Sequence, residues 1–287
     1  RSFDYIIEFR DYGASISVNE RNISKNLILK QPYYPVINTG FKFEGFPFDE
    51  TNKKIIFSGG ALYKTYGDNN KYYCIVEHLL KKDKDVIFLY AGFGDGTELK
   101  KLQKKYKNRI FWINERKDLY EVMKRCYFYL STYPMIGGLM TQYAVAAGVV
   151  PMTLIYDECS TGVLLNPEEI GIEYKNFSAF IAELDKMLED RNVVFEKEQK
   201  LKRQIITEDE FNNNLKKIVF DNSSNYIFKC HKVETERFRH TYIERMTKEM
   251  YYKIFIKKWA LFICKYFPKE TIGAIRVKIK EEIKKEV

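Results

Sequence analysis

Two adjacent glycines ahead of a short apolar stretch are the residues of this sequence best spaced to hold a ligand. Segment 134–151 reads PMIGGLMTQYAVAAGVVP and follows CYFYLSTY, a run typical of a buried strand. Gly137 and Gly138 permit a positive φ or a close approach. The helix predicted after them would offer free N–H groups and partial positive charge, and Thr141 and Gln142 on its first turn could bond a ribose or a sugar. This pattern favours a phosphate-bearing ligand over a simple tight turn.

A second glycine pair precedes a lysine. Gly59 and Gly60 end the strand-like run KIIFSGG, and Lys64 follows five residues after the first of them. An ammonium group in this loop could reach a diphosphate held over the two glycines. A solvated surface lysine is the alternative, and the sequence leaves both open.

Two more loops carry charge or glycine. In NERKD, Glu115 and Arg116 follow a strand directly, where they could contact a nucleobase edge or a ribose; ordinary surface charge is the alternative. In GFGDGTE, the third spaced glycine of a dinucleotide turn is missing. Asp95 and Glu98 have instead the spacing of a capping box, which predicts the start of the next helix.

The elements that must position these loops alternate regularly from Lys53 onward. The apolar patterns predict five strands and five helices, in units of about 20 to 35 residues. The strands are KIIFSGG, DVIFLYA, RIFWI, YFYLST and VVPMTLI, and the helices are YYCIVEHLLKK, TELKKLQKKY, DLYEVMKRC, GLMTQYAVAA and FSAFIAELDKMLED. This order predicts an α/β class with a doubly wound, Rossmann-like parallel sheet, whose ligand crevice lies at the carboxyl ends of the strands.

Charge is distributed unevenly along the 287 residues. The chain has a net charge of +9, of which 229–287 contribute +8 through 16 basic and 8 acidic residues. A near-neutral body argues against nucleic acid as a partner. The five cysteines have neither metal-ligand nor redox spacing, so we expect no metal and a cytoplasmic location with reduced thiols.

The basic tail is also strongly apolar. In YYKIFIKKWALFICKYF, Lys253, Lys257, Lys258 and Lys265 fall within about 140° of a helical wheel, and aromatic and aliphatic residues fill most of the rest. This pattern predicts basic amphipathic helices over 221–287. Segment 251–287 would fit an anionic membrane surface, with peripheral attachment at its inner face, and would equally fit packing against the body.

The block 53–155 resembles the donor-binding, C-terminal half of GT-B fold glycosyltransferases. The resemblance rests on FSGGALYKTYG after the first strand, on STYPMIGGLMTQYAVAAGVVPMTL, and more loosely on the closing helix FSAFIAELDKML. It implies a nucleoside-diphosphate sugar as co-substrate, with no further cofactor, bound by 41–220. Its diphosphate would lie on the Gly138 turn near Lys64. It also implies an acceptor-binding half, of which 1–40 would be the final stretch and linker.

One departure from the family leaves the chemistry open. Many retaining members carry a glutamate on the helix after the glycine turn, where this chain has Gln142 and Tyr143. The resemblance implies a hexosyltransferase-like enzyme. Its expected acceptor is membrane-linked or a polysaccharide, in surface polysaccharide biosynthesis. Because of the departure, neither the catalytic residues nor a retaining or inverting course can be named. A sugar-nucleotide epimerase of the same fold and a non-catalytic nucleotide- or partner-binding domain remain alternatives.

Overall fold

The computed structural model describes residues 4–156, 162–201, 203–230, 232, 236, 257–269 and 272. The chain divides into two compact units, Arg1–Thr235 and Glu236–Val287. Most of the larger unit is one parallel sheet with helices on both faces. The predicted divisions of the chain near 40 and 220 stay predictions.

The larger unit begins with a small β-α-β motif. Strand β1 (Ile6–Glu8) pairs in parallel with β2 (Ile28–Lys30), and helix α1 (Asp11–Asn19) makes the crossover between them. The sequence patterns did not predict these short strands, because each offers only three residues of pattern.

Six parallel strands form the main sheet, in the order β5-β4-β3-β6-β7-β8. Their ranges are β3 Lys54–Gly59, β4 Val86–Ala91, β5 Ile110–Ile113, β6 Phe128–Leu130, β7 Pro151–Leu154 and β8 Glu173–Tyr174. The first five confirm the predicted strands. The sixth is only two residues long and carried no readable pattern.

Helices cover both faces of this sheet. They are α2 Lys71–Lys82, α3 Thr97–Tyr106, α4 Leu119–Met123, α5 Gly138–Ala146, α6 Phe177–Glu189, α7 Arg191–Lys200 and α8 Glu208–Asp221. Alternate strand residues face opposite sides: Ile56 packs in one cluster with α2, α3 and α6, and Ile55 in another with α4 and α5. The doubly wound α/β class predicted from the sequence is thus confirmed.

The predicted capping box at α3 is wrong. The helix begins at Thr97 with Gly96 as its N-cap and has no side-chain cap at that position. Asp95 accepts a hydrogen bond from the Thr97 N–H at 3.1 Å, and Glu98 instead forms an ion pair with Lys101 at 2.7 Å. The helix therefore starts one residue later than expected.

The smaller unit contains helix α9, Lys257–Tyr266, and the predicted helical tail over 221–287 as a whole stays a prediction. Leu261, Phe262, Tyr266 and Phe267 are exposed large apolar or aromatic side chains. The predicted helical segments at 251–256 and 273–287 lie outside the described residues. Among the residues described, no helix has the length and apolar content needed to cross a bilayer.

Candidate functional site

The order of the strands creates a topological switch point at the centre of the sheet, and the loops that meet there define the β3–β6 crevice. Strand β3 has β4 on one side and β6 on the other, so the chain reverses its direction of winding between β3 and β6. The loops that leave the carboxyl ends of these two strands diverge at that point, which is where open α/β sheets bind ligands. Gly59 is the last residue of β3, Gly60 and Lys64 follow it, and Gly137 and Gly138 follow β6, so both predicted glycine pairs lie at this point.

Backbone hydrogen bonds fix the loop after β3. The Gly60 N–H donates to the Ala91 carbonyl at 2.9 Å, and the Leu62 N–H donates to the Phe93 carbonyl at 2.8 Å. Gly60 has a φ of +121°, and no atom lies within 4 Å of the position that a Cβ would take. The glycine therefore provides both an unusual backbone conformation and open space above the strand end.

Tyr90 supports this loop from β4, and the sequence patterns did not single it out. Its hydroxyl donates to the Gly60 carbonyl at 3.0 Å, while Thr65 Oγ1 donates to the Leu62 carbonyl at 2.7 Å. Tyr90 is the next-to-last residue of its strand, which is the signal that could have identified it. These bonds hold the Lys64 segment in one conformation.

The charge of Lys64 is unpaired within the described part of the chain. The side chain is half-buried, and no described residue forms a hydrogen bond or an ion pair with its Nζ. Burial lowers the pKa of Lys64 below its usual value, because the charged form has lost part of its hydration. A half-buried ammonium group without a carboxylate partner among these residues is suited to an anionic ligand.

The loop after β6 leads into an open helix N-terminus. Helix α5 begins at Gly138, and its N-cap residue, Gly137, provides no side-chain hydrogen bond. The first N–H groups of a helix lack partners within the helix and carry partial positive charge. This end of α5 can therefore bind an anion near Lys64.

The two glycines of this turn differ in their surroundings. Gly137 has a φ of −89°, and a Cβ there would make only ordinary contacts of 3.7 Å or more. A Cβ on Gly138 would lie 3.0 Å from Val163 Cγ1. The close approach at Gly138 is therefore to the loop after β7, and contact of this turn with a phosphate stays a prediction.

Thr141 closes the first turn of α5 and Gln142 begins the second, and both side chains point inward. Thr141 is buried and its hydroxyl donates back to the Gly137 carbonyl at 3.3 Å. Gln142 is fully buried; its Nε2 donates to the Val163 carbonyl at 3.3 Å, and its Oε1 accepts no hydrogen bond from the residues described. Contact of either side chain with a ribose remains a prediction.

Glu115 and Arg116 follow β5, which is the edge strand two positions from β3. Glu115 is exposed. The Arg116 side chain already bonds to other parts of the protein. Its Nε donates to Asp118 Oδ1 at 2.7 Å, and its Nη1 donates to the Gly45 carbonyl at 2.6 Å. The structure thus gives Arg116 a supporting role for the segment before β3, and contact with a base would require breaking these bonds.

A cavity of about 570 Å³ lies beyond β6, at the carboxyl ends of β7 and β8. The loop Gly162–Glu168 forms one wall, and residues that follow β1 form another. Val163 lines the cavity and also contacts the Gly138 turn, so the cavity adjoins the crevice. No group of three or more potential metal ligands occurs among the described side chains.

Comparisons with known proteins extend these observations. No family model matches the sequence, and no curated protein matches it. Similar solved structures include a mutant of TarM from S. aureus in complex with Fondaparinux, alpha-GlcNAc-glycerol and UDP, with a TM-score of 0.58 at 15% identity over 76% of this chain. WaaG, a glycosyltransferase involved in lipopolysaccharide biosynthesis, has a TM-score of 0.55 at 14% identity over 75% of this chain. The pneumococcal O-GlcNAc transferase GtfA, in complex with UDP and GlcNAc, has a TM-score of 0.52 at 13% identity over 76% of this chain.

This chain has a GT-B glycosyltransferase fold. The likeness confirms the GT-B fold that the resemblance implied, and the assignment of this chain to the donor-binding half stays a prediction. The chain covers 43% of the TarM structure, 62% of the WaaG structure and 45% of the GtfA structure.

Proposed function

We propose that this chain binds a nucleoside-diphosphate sugar in the β3–β6 crevice and belongs to a glycosyltransferase. The observation that carries the proposal is the half-buried Lys64, unpartnered among the described residues, whose carbonyl accepts a hydrogen bond from the Met135 N–H in the loop that leads to the uncapped N-terminus of α5. Two sources of positive charge at one switch point match the two phosphates of a diphosphate. UDP in the TarM and GtfA structures is consistent with this choice of ligand.

The same charges would act during the transfer of the sugar. A hydroxyl oxygen of the acceptor bonds to the sugar carbon, the bond from that carbon to the diphosphate breaks, and the hydroxyl proton is released. Negative charge grows on the departing diphosphate. Lys64 and the α5 N–H groups would stabilise that charge, since they are fixed in position before the reaction starts.

The acceptor we propose is membrane-linked or a polysaccharide, as in the assembly of surface polysaccharides. Support comes from the exposed apolar side chains of α9 and the basic tail, which together suit an anionic membrane surface. We therefore propose a cytoplasmic protein attached peripherally at the inner face of the membrane. The involvement of WaaG, which is similar in fold, in lipopolysaccharide biosynthesis is consistent with this proposal.

Calorimetry with UDP and uridine tests the nucleotide site. A charge-assisted hydrogen bond to phosphate contributes about 1.5 to 3 kcal/mol, so Lys64→Met should weaken UDP binding about ten- to a hundredfold and leave uridine unchanged. Lys84→Met is the matched control, since Lys84 is exposed and precedes β4 at the opposite edge of the sheet. Equal loss for both ligands would show that Lys64 supports the loop without contacting phosphate.

Assays of sugar-nucleotide turnover distinguish a glycosyltransferase, a sugar-nucleotide epimerase and a non-catalytic binding domain. A panel of sugar nucleotides should yield nucleoside diphosphate only with an acceptor present, if the protein is a transferase. An epimerase would convert the sugar nucleotide without any acceptor. Binding without turnover by the complete protein would favour the non-catalytic domain.

A further inference from the structure

The walls of the cavity beyond β6 carry balanced charges. Among the described residues that line it, three are acidic and three are basic: Asp11, Glu168, Glu173, Lys30, Lys175 and Lys229. Two of the lysines already have carboxylate partners, because Lys30 pairs with Asp11 at 2.6 Å and Lys229 pairs with Glu168 at 3.2 Å. A cleft attracts a charged ligand when one sign of charge dominates its walls. The balance of charges here therefore favours an uncharged ligand.

Gln204 offers a hydrogen-bond donor to this cavity. It lines the cavity and is only 4% exposed. Its side-chain oxygen accepts a hydrogen bond from the Asn166 N–H at 2.8 Å, which fixes the orientation of the amide. Its Nε2 donates to no described residue, yet this atom is not sealed from solvent, so it faces the open space of the cavity. A donor on a buried side chain is nearly always satisfied, and a ligand oxygen would satisfy this one.

Two exposed aromatic rings form another part of the wall. Phe9 and Tyr33 both line the cavity, and they are 41% and 43% exposed. Their ring centres lie 5.8 Å apart and their planes are inclined by 48°, so the pair presents an angled surface. Aromatic side chains give a ligand a large apolar contact area. This part of the cavity therefore suits a ligand that has apolar faces.

A neutral sugar combines the properties that these three features require. Its hydroxyl groups accept and donate hydrogen bonds, its C–H faces pack on aromatic rings, and it carries no charge. A purely apolar ligand would leave the Gln204 donor unsatisfied, and an anion would gain little from the balanced charges. The volume of about 570 Å³ lies in the range of small-molecule sites.

We propose that this cavity binds an uncharged sugar residue of the acceptor. A hydroxyl oxygen of that sugar accepts a hydrogen bond from Gln204 Nε2, and its ring packs against Tyr33. The role as acceptor rests on the proposed function. Val163 lines the cavity, and its Cγ1 would lie 3.0 Å from a Cβ on Gly138, so a sugar held here lies next to the turn at which the donor would bind.

Ligand-observed NMR on the full chain tests the proposal in the presence of saturating UDP. The probes are the methyl glycosides of glucose, galactose, mannose and N-acetylglucosamine, with glucuronate as the anionic comparison. We expect at least one glycoside to bind, and glucuronate to bind no more tightly than that glycoside. Tyr33→Ala should weaken glycoside binding about two- to tenfold through the loss of the aromatic contact. Gln204→Glu keeps the acceptor for the Asn166 N–H but loses the donor, and should weaken it by a similar factor.

The controls separate this proposal from the nucleotide site. Phe195→Ala removes a ring on α7 that is 53% exposed and lies outside the cavity, and it should leave glycoside and UDP binding unchanged. The acceptor proposal is wrong, and the donor proposal stands, if UDP binds but no glycoside does, if glucuronate binds more tightly than every glycoside, or if both cavity variants bind the glycosides as the parent does. Displacement of the glycoside by UDP would also overturn it. If UDP fails to bind while a glycoside binds through Gln204 and Tyr33, the proposed function fails and a sugar site remains.

Discussion

The backbone N–H of Met135 donates to the carbonyl of Lys64 at 3.3 Å. This bond joins the loop after β6 to the loop after β3 across the switch point. A displacement of one loop is therefore transmitted to the other, and substitutions that move either loop should change the affinity for a ligand held between them.

Gly92 provides the strongest test of the loop geometry. It has a φ of +153°, and a Cβ there would lie only 2.0 Å from the Gly60 carbonyl oxygen. Gly92→Ala should lower the free energy of unfolding by about 2 to 4 kcal/mol and abolish UDP binding, because the backbone of Gly60 must move. Urea unfolding and calorimetry measure the two effects.

Gly148→Ala is the control for Gly92→Ala. Gly148 also has a positive φ, +75°, but open space surrounds its Cβ position. Its substitution should cost about 1 to 2 kcal/mol of stability through backbone strain and leave UDP affinity unchanged. Similar UDP binding by both variants would contradict the role given to the Gly60 loop.

Binding of UDP should weaken at alkaline pH. Burial lowers the pKa of Lys64, so its ammonium group attracts phosphate below that lowered value and loses its charge as the pH rises through it. Calorimetry from about pH 7 to pH 10 should show falling affinity, and Lys64→Arg should flatten the profile because arginine stays charged throughout. An unchanged slope in Lys64→Arg would assign the pH dependence to another group.

Lys64→Met should raise the melting temperature of the ligand-free protein. The parent buries part of a charge that no described residue pairs, which destabilises the folded state while the lysine is protonated. The difference from the parent should be largest below the lowered pKa and vanish above the ordinary lysine pKa, where the unfolded chain is neutral too. Scanning calorimetry at several pH values measures it, and a lower melting temperature would count against an unpartnered Lys64.

The buried Arg116–Asp118 pair should matter greatly for stability. Burial alone would raise the pKa of Asp118, but the Arg116 guanidinium and the Glu44 N–H outweigh it and lower that pKa. The pair thus stabilises the fold above the usual aspartate pKa and loses this effect as the pH falls through the lowered value. Arg116→Met should cost about 3 to 5 kcal/mol by urea unfolding, since a buried carboxylate loses its partner.

The exposed Lys124–Glu121 pair is the comparison for Arg116→Met. Its two side chains lie 2.9 Å apart on the surface of α4 and its C-terminal end. Lys124→Met should change stability by no more than about 0.5 kcal/mol, because solvent screens the interaction. Equal losses in Lys124→Met and Arg116→Met would show that burial adds nothing to the Arg116 pair.

Helix α9 should bind anionic vesicles if the tail is a membrane anchor. Lys265, Phe262 and Phe267 are exposed. Flotation should show binding to anionic but not neutral liposomes at low salt, reduced by Lys265→Glu and weakened near about 0.5 M salt as the screening length shortens. Binding that ignores lipid charge at every salt concentration would leave packing as the better interpretation of the tail.

The sequence predicted the central part of the fold because its signals are local. Strands β3 to β7 are apolar runs bounded by glycine or charge, and α3 and α6 have helical periodicity with clear ends. The sequence did not reveal β8, which is two residues long, or α7, whose apolar residues form no clear stripe. Both depend on tertiary packing, including Val194 in the core beside α6.

The candidate site was only partly predictable for the same reason. The glycine loops and Lys64 could be placed at one edge, because parallel strands share their carboxyl ends. The hydrogen bond from Arg116 to the Gly45 carbonyl could not be predicted, because it joins residues that are far apart in the chain. The inward orientation of Gln142 depends on Val163, which lies in the loop after β7.

The strand order also determines when the crevice can appear as the chain folds. Strand β3 pairs with β4 about 30 residues later, but Ile56 must find Phe128, about 70 residues along, before β6 closes the other side. Closing the longer loop costs more chain entropy and comes later in typical parallel sheets. An intermediate containing only β3, β4 and β5 would already have its Lys64 loop beside β4 but no second wall. Recovery of UDP binding during refolding would therefore report the arrival of β6, after most of the helical signal has returned.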